Sequence, residues 1–353
     1  MLIQLYVLRQ LLVSIGFSVA GLAVIVLPTV AIQAVNKLGA ISVGMVARYL
    51  PLVIAELVPY LLPMAFLLGV VATYGRLAAE RELIAINMAG IHPFKLALPA
   101  FLVALPLALG TDRLLGEISP ELKYQQRSLL RDADVSRFLA GMSGRNLLTF
   151  GKNVLKSEST LGSVRTNAEL DMELGDGRHI KIIAGEARID VEGDLLVVRM
   201  KDARLLTEDT SSYSAEPLYT WKLSEIFPPQ KKDKSSAKYR TNSDLSVALR
   251  DPGLAPALGD EYRYEIQRRH ALAATYLLFL LLGLPTGVVL RSSTQLGAFT
   301  GAVGYAFLYY VLAMRLGKVL AATGAIAPFV AAWATNGLFL AVGLVFFVRA
   351  LLR

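Results

Sequence analysis

The sequence predicts an α-helical membrane protein with six spanning helices and a β-domain inserted between the third and the fourth span. Composition supports this, because 54% of the 353 residues are hydrophobic and 18% are charged, with a mean hydropathy of +0.51. A soluble domain has about 25% charged residues. The arrangement supports it further, since long stretches without charge lie on both sides of one polar region, 114–267, in which apolar and polar residues alternate.

Apolar residues cluster in stretches that contain no Asp, Glu, Lys or Arg. These stretches are 10–36, 49–55, 57–75, 96–111, 270–290, 292–314 and 319–348. A spanning helix needs about 20 mostly apolar residues, so these stretches form six spans if Glu56 lies inside the second. We therefore place three spans in residues 1–113 and three in 268–353. The third span reaches full length only with residues 92–95, and the first is too long for a signal peptide.

The polar region predicts a β-domain. Residues 179–190 and 195–206 alternate between apolar and polar side chains around a turn that contains Gly193, which predicts a hairpin. Further strands are predicted at 146–150, 167–174 and 218–223. Strands at this spacing are typical of a sandwich or a jellyroll.

Connecting segments join the predicted β-domain to the spans. Residues 119–139 predict a polar helix that leaves the third span. Residues 228–240 are polar and contain two prolines, which predicts a flexible linker. Residues 244–267 then lead back to the membrane, with a helix near their end.

The short segments between spans indicate an orientation. If the segment after the second span is cytoplasmic, both termini are cytoplasmic and the β-domain lies on the opposite side. The short segments then place seven Lys and Arg residues inside and four outside. This is the direction that the positive-inside rule predicts.

The sequence offers few groups for catalysis. It contains no cysteine, which excludes disulfides, Cys-type zinc sites and Cys nucleophiles. The histidines, His92, His179 and His270, are scattered without ligand spacing. No GxxxxGK[ST], HExxH, GxSxG or CxxC motif occurs. We therefore expect a non-enzymatic chain without metal or cofactor.

Charge is unevenly distributed along the chain. Residues 114–267 hold 22 Lys/Arg and 24 Asp/Glu, a net of −2, and the remainder holds 14 basic and 4 acidic residues, a net of +10. A near-neutral polar region argues against a nucleic-acid partner. A basic membrane part favours anionic lipid, which contributes about 1 kcal/mol per Lys or Arg near the surface.

A short polar segment, residues 74–95, interrupts the apolar sequence between the second and third spans. Its sequence, YGRLAAERELIAINMAGIHPFK, predicts a surface helix over about 75–90 with two apolar stripes. Two apolar stripes are more than a helix needs to lie among lipid headgroups. They favour binding in a groove of another protein. Glu80 and Glu82 would lie in the first turns, where the helix dipole favours anions, and Arg76 would pair with Glu80. A solvated helix without a partner is an equally good interpretation of the spacing.

Two parts of the chain resemble the lipopolysaccharide-export permease family, LptF/LptG. The segment GRLAAERELIAINMAGI is similar to the family's coupling helix, with Glu82 and Gly90 at the matching positions. The last quarter, LLLGLPTGVVLRSSTQLGAFTGAVGYAFLYYVLAMRLGKVLAATGAIAPFVAAWATNGLFL, is similar in its proline, its Gly-rich fifth span, its Tyr-Tyr pair and its approach to the sixth span. The middle domain matches only in its strand pattern and its AGEARID–LLVVRM hairpin.

The resemblance implies a permease subunit of an ABC transporter in the inner membrane of a Gram-negative-type bacterium, with a periplasmic β-jellyroll domain. A second six-span permease would pair with it, and a cytoplasmic ATPase dimer would grip the coupling helices. Lipopolysaccharide would enter sideways from the outer leaflet and pass to a periplasmic bridge protein with a similar jellyroll. The expected ATPase contacts are Glu82, Glu80, Arg76 and Gly90.

Two other functions stay open from the sequence. One is an ABC-type permease for another envelope lipid or lipoprotein. The other is a non-transporting structural or signalling membrane protein that binds a partner through its β-domain.

Basic residues at the outer ends of the spans are candidates for binding lipid phosphates, since Lys and Arg bind phosphate through charge and hydrogen bonds. Snorkelling of these side chains to the interface is the alternative. The resemblance favours Lys37, because basic residues near the outer end of the first span line the family's cavity. The candidates are Lys37, Arg48, Arg269, Arg315 and Lys318.

Small residues and one glutamate complete the candidates. Gly297, Gly301 and Gly304 are spaced for close helix packing, and the resemblance implies that they lie at a moving lateral gate; static packing within the chain is an equally good interpretation. Glu56 is costly in lipid, so we expect it to face inward or to lie near the interface in a structural hydrogen bond.

Overall fold

The computed structural model of the protein describes residues 2–38, 43–89, 93–141, 146–150, 153–173, 179–192, 195–207, 210–214, 218–222, 236–289, 295–322 and 326–351. Packing divides the chain into two units. The membrane unit comprises Met1–Gln33, Leu50–Gln126 and Lys234–Arg353, and the sheet unit comprises Ala34–Tyr49 and Arg127–Asp233. The predicted region 114–267 includes connecting helices, and its first and last residues, up to Gln126 and from Lys234 onward, belong to the membrane unit.

Along the sequence, one group of helices precedes the strands and a second group follows them. The first group is α1 (Leu2–Leu38), α2 (Val43–Ala79), α3 (Glu82–Met88), α4 (Pro93–Arg113), a π-helical turn (Leu114–Ile118) and α5 (Ser119–Gly141). The second group is a 3-10 turn (Ala237–Tyr239), α6 (Asn242–Ala248), α7 (Pro256–Ala273), α8 (Thr275–Val289), α9 (Gln295–Ala322) and α10 (Pro328–Leu351). The predicted helix at 119–139 is thus confirmed as α5.

Six helical segments of the described chain are long and apolar enough to cross a membrane, which confirms the predicted spans. They are Leu2–Leu38, Val43–Ala79, Lys95–Leu130, Pro256–Val289, Phe299–Gly317 and Pro328–Arg349. The third segment is longer than its apolar run, because α4 continues through the π-helical turn into α5 without a break. The fourth segment likewise gains length from α7, whose polar residues precede the apolar run.

α2 and α8 cross closely within the membrane unit. A Cβ atom on Gly287 would lie 2.8 Å from the carbonyl oxygen of Val71 and 2.9 Å from the backbone nitrogen of Gly75. Only a residue without a side chain permits this approach of two helix backbones. The absence of a side chain at Gly287 therefore lets α2 and α8 pack closely.

Buried polar groups join the last three spans. The Tyr309 hydroxyl donates to Asn336 Oδ1 at 2.8 Å and lies 2.7 Å from the Thr275 hydroxyl, and Asn336 Nδ2 donates to the carbonyl oxygen of Ala271 at 2.8 Å. Polar groups away from water are costly unless they are hydrogen-bonded. Their pairing fixes α8, α9 and α10 to one another.

The sheet unit contains nine antiparallel strands within the described residues. They are β1 (Leu147–Phe150), β2 (Asn153–Lys156), β3 (Ser159–Leu161), β4 (Val164–Glu173), β5 (His179–Glu192), β6 (Leu195–Lys201), β7 (Ala203–Thr207), β8 (Thr210–Ser214) and β9 (Leu218–Lys222). The order β1-β2-β4-β5-β6-β9 runs across the sheet, β3 also pairs with β4, and β7 pairs with β5 and β8. The jellyroll arrangement of this β-domain stays a prediction.

The alternating pattern of β5 and β6 sets their register. Val191 lies opposite Leu196, and Ala187 lies opposite Met200, as the predicted hairpin requires. Successive side chains point to opposite faces of a strand, and the inward-facing set forms the sheet core. The core includes Leu155, Leu170, Ile182, Ile189, Leu196 and Val198.

The predicted linker 228–240 is wrong at its end. Residues 228–235 lie outside the described residues, but Ala237–Tyr239 forms a 3-10 turn. Ala237 is buried in a small apolar cluster with Leu245 and Tyr262. Apolar contacts that are 8 and 25 residues away in sequence therefore order a segment that its composition alone describes as flexible.

Candidate functional site

The predicted surface helix is divided by a turn. α2 runs to Ala79, and α3 begins only at Glu82. Arg81 has a φ of 61°, a left-handed conformation that cannot continue a helix. Its N–H still donates to the Ala78 carbonyl oxygen at 3.2 Å, and its carbonyl oxygen accepts from the N–H of Ile84 at 3.1 Å. The single helix expected over 75–90 is therefore wrong.

The two predicted glutamates have different surroundings. Glu80 is exposed in the turn and pairs with Arg76 at 3.0 Å, as the i,i+4 spacing predicts. Glu82, the first residue of α3, instead accepts a hydrogen bond from the Tyr6 hydroxyl of α1, with distances of 3.2 Å to Oε1 and 3.3 Å to Oε2. Gln10 Nε2 donates to the same hydroxyl. Of the two glutamates, Glu82 is therefore the one that hydrogen-bonds to another span.

The apolar residues of α3 face two ways. Leu83 and Ile86 pack against the core of the membrane unit. Ile84 is 45% exposed and Met88 is 85% exposed, so they form an apolar surface beside the acidic residue at the start of the helix. The predicted ATPase contact Gly90 lies outside the described residues.

Arg269 was predicted to bind lipid phosphate at the outer end of a span, but the structure buries its side chain. Its side chain is 2% exposed. The guanidinium donates to Glu265 Oε1 at 3.1 Å, and a further set of acceptors surrounds it. These are the carbonyl oxygens of Gly116, Arg240 and Ala237, and Asn242 Oδ1, at 2.8 to 3.3 Å. The contacts do not support the prediction that Arg269 binds a lipid phosphate, because the buried guanidinium already binds four acceptors from two other segments of the membrane unit, Gly116 and residues 237–242.

The other predicted phosphate-binding residues remain at the surface where the structure describes their side chains. Lys37 lies in the last turn of α1 and Arg48 in the first turns of α2, and both are exposed. Arg315 is exposed on α9. Lys318 is part of the same helix, but its side chain lies outside the described residues.

The glycines of the fifth span lie in the first half of α9. Gly297, Gly301 and Gly304 are exposed. A Cβ on Gly304 would meet no atom within 4 Å, in contrast to the crowded crossing at Gly287. Static packing within the chain therefore does not explain Gly304.

Glu56 has the structural hydrogen bond that its position predicts. Its Oε2 accepts from Gln126 Nε2 at 2.8 Å, and its Oε1 lies 3.7 Å from Lys123 Nζ. Both partners belong to α5. The contact joins α2 to the helix that leaves the third span.

The sequence interpretation missed several polar residues that meet others far along the chain. Tyr6 and Gln10 meet the start of α3, and Asp112 Oδ1 lies 2.6 Å from His270 Nδ1. The one available signal was the presence of polar residues inside or beside apolar runs, where they are costly and need partners. That signal does not say which partner each residue finds.

Comparison with protein families gives one match over nearly the whole chain. The family model described as "Lipopolysaccharide export system permease LptF/LptG" matches residues 5–349. A search of curated proteins finds no match. The family match agrees with the six spans and with the β-sheet region between the third and fourth. The chain belongs to the LptF/LptG family of lipopolysaccharide export system permeases.

Proposed function

We propose that this chain is one half of the membrane channel of an ABC transporter that extracts lipopolysaccharide from the outer leaflet of the inner membrane. A second six-span permease of the same family supplies the other half. A cytoplasmic ATPase dimer supplies the energy, since the sequence has no P-loop with which to hold ATP. The large β-domain then lies in the periplasm and both termini lie in the cytoplasm.

One observation carries the proposal beyond family membership: α3 displays a carboxylate and an apolar surface between two spans. Glu82 opens the helix, and Ile84 and Met88 are exposed along it. An amphipathic helix in a groove of another protein is a common recognition mode, and a basic residue of the ATPase would pair with the carboxylate. The neighbouring Arg76–Glu80 pair adds charges at the rim of this surface.

Charge at the outer ends of the spans supports a phosphate-bearing lipid as cargo. Lys37, Arg48 and Arg315 are exposed, and each could bind a phosphate of the lipid headgroup. Lys318 is a further candidate because of its position in the sequence, whereas the buried Arg269 is no longer one. The open face of α9 around Gly304 fits a lateral gate, because a small residue there lets a neighbouring helix or lipid chain approach closely.

The β-domain would pass lipopolysaccharide to a bridge protein. β1 and β9 end the main strand order of the described sheet, and such strands can pair with a strand from another chain. A bridge protein with a similar jellyroll could extend the sheet at one of these strands. The cargo would then move along a continuous β-structure.

Purification of the tagged chain in mild detergent tests this proposal. We expect an ATPase with a P-loop and a second six-span permease to co-purify, and lipopolysaccharide to cross-link to the complex. Recovery of the ATPase with a different envelope lipid or a lipoprotein would support a related permease instead. Recovery of the chain without any ATPase would support a structural or signalling role.

A further inference from the structure

A residue of the first span holds the carboxylate that we propose as the ATPase contact. The Tyr6 hydroxyl lies almost equally far from both oxygens of Glu82, at 3.2 and 3.3 Å. A phenol has one proton to donate, and its oxygen can accept another hydrogen bond. Gln10 Nε2 donates to that oxygen. The three side chains therefore form one chain of hydrogen bonds from Gln10 through Tyr6 to Glu82.

The geometry restricts both ends of this series of hydrogen bonds. Tyr6 and Gln10 are four residues apart on α1, so their side chains lie on one face of that helix. The phenol lies within hydrogen-bonding distance of both oxygens of Glu82 and so restricts rotation of that carboxylate. A carboxylate offers about four lone-pair sites, so it can still accept hydrogen bonds from a basic residue of a partner. Tyr6 orients the carboxylate without neutralising it.

The short helix depends on such contacts for its orientation. α3 has 7 residues, and isolated helices shorter than about 12 to 15 residues are marginal in water. The turn at Arg81 interrupts the backbone that would otherwise tie α3 rigidly to α2. Leu83 and Ile86 supply apolar contacts, but only a directional bond fixes where the carboxylate points.

We propose that Tyr6 is a positioning residue for the ATPase contact: it holds Glu82 in the orientation that the ATPase binds and links movement of α3 to the first span. The proposal rests on the proposed function, since it requires Glu82 to contact the ATPase. Glu80 provides the comparison, because it lies two residues away and pairs with Arg76 rather than with Tyr6.

A double-mutant cycle tests the proposal in the assembled transporter. The permease pair is placed in nanodiscs, and the dissociation constant of the ATPase is measured for wild type, Tyr6→Phe, Glu82→Gln and the double variant. Tyr6→Phe keeps the ring and removes the donor, so we expect binding about fivefold weaker, the effect of losing one ordinary hydrogen bond. In the Glu82→Gln background we expect Tyr6→Phe to have little further effect, because residues that act through one contact are not additive.

The matched control uses Glu80→Gln in place of Glu82→Gln. Tyr6→Phe should keep its fivefold effect in that background, since Tyr6 does not contact Glu80. Wild-type affinity of Tyr6→Phe, or additive effects of Tyr6→Phe and Glu82→Gln, would overturn the positioning role while Glu82 remains the ATPase contact. Wild-type affinity of Glu82→Gln would overturn the proposed contact itself, and the positioning role with it.

Discussion

Replacement of Arg269 by alanine tests whether this buried residue serves stability rather than lipid binding. The change removes the donor for three backbone carbonyl oxygens and for Asn242 Oδ1, all at 2.8 to 3.3 Å. Each buried hydrogen bond contributes about 1 kcal/mol net. Glu265 keeps a paired partner, because Arg268 donates to both of its oxygens at 2.7 and 2.9 Å. The lost hydrogen bonds, rather than an unpaired charge, therefore predict a loss of roughly 3 to 5 kcal/mol.

Thermal unfolding in detergent measures this loss. At about 2 to 4 °C per kcal/mol for a domain of 150 to 250 residues, Arg269→Ala should lower Tm by about 10 °C. Arg315→Ala is the control, since Arg315 is exposed and surface changes are usually within about 0.5 kcal/mol. An Arg269→Ala protein that melts like wild type but loses cross-linking to lipopolysaccharide would show that Arg269 binds lipid and does not stabilise the fold.

Three further predictions concern the lipid path, the helix crossing and the lateral gate. Lys37→Glu should lower cross-linking of lipopolysaccharide, because the reversed charge repels lipid phosphates, whereas Lys95→Glu should leave it unchanged; equal yields for both variants would mean that Lys37 only snorkels to the interface. Gly287→Val should lower Tm, because its Cβ would lie 2.8 Å from the Val71 carbonyl oxygen and overpacking costs about 1 to 3 kcal/mol. Gly304→Leu should keep the wild-type Tm and reduce export, since its side chain enters the open face of α9; wild-type export would argue against a gate there.

Hydropathy and alternation were sufficient to predict the spans and the β5–β6 hairpin. Both are periodic properties of local sequence, and burial of one face enforces them. The third span was placed correctly although its apolar run is short, because polar residues at the end of a long helix do not stop it. Glu56 was also placed correctly, since a carboxylate within a span needs a partner.

The turn at Arg81 had no such local signal. Neither glycine nor proline marks residues 79–82, and a non-glycine residue with positive φ is uncommon. Continuous helix periodicity therefore predicted one helix where the chain forms the end of α2 and a separate α3. Contacts of Leu83 and Ile86 with the core hold the chain in the turned conformation.

The surroundings of Arg269 and Glu82 could not be predicted because their partners are distant in sequence. Arg269 binds the carbonyl oxygen of Gly116, which is 153 residues away, and Glu82 binds Tyr6, which is 76 residues away. A basic residue near a span end looks the same in sequence whether it faces lipid or the protein interior. Only the packing of the spans distinguishes the buried Arg269 from the exposed Arg315.

Recovery of the ATPase with the Glu82→Ala variant, measured together with lipopolysaccharide export in proteoliposomes, tests whether Glu82 couples this permease to the ATPase. The variant should fold, insert and pair with the second permease, because the half-buried Glu82 side chain contributes one hydrogen bond, with Tyr6. We predict that ATPase recovery and export both fall about tenfold or more, the effect of losing roughly 1.4 kcal/mol at a charged contact. Recovery and export at wild-type levels would show that Glu82 is not the contact to the ATPase.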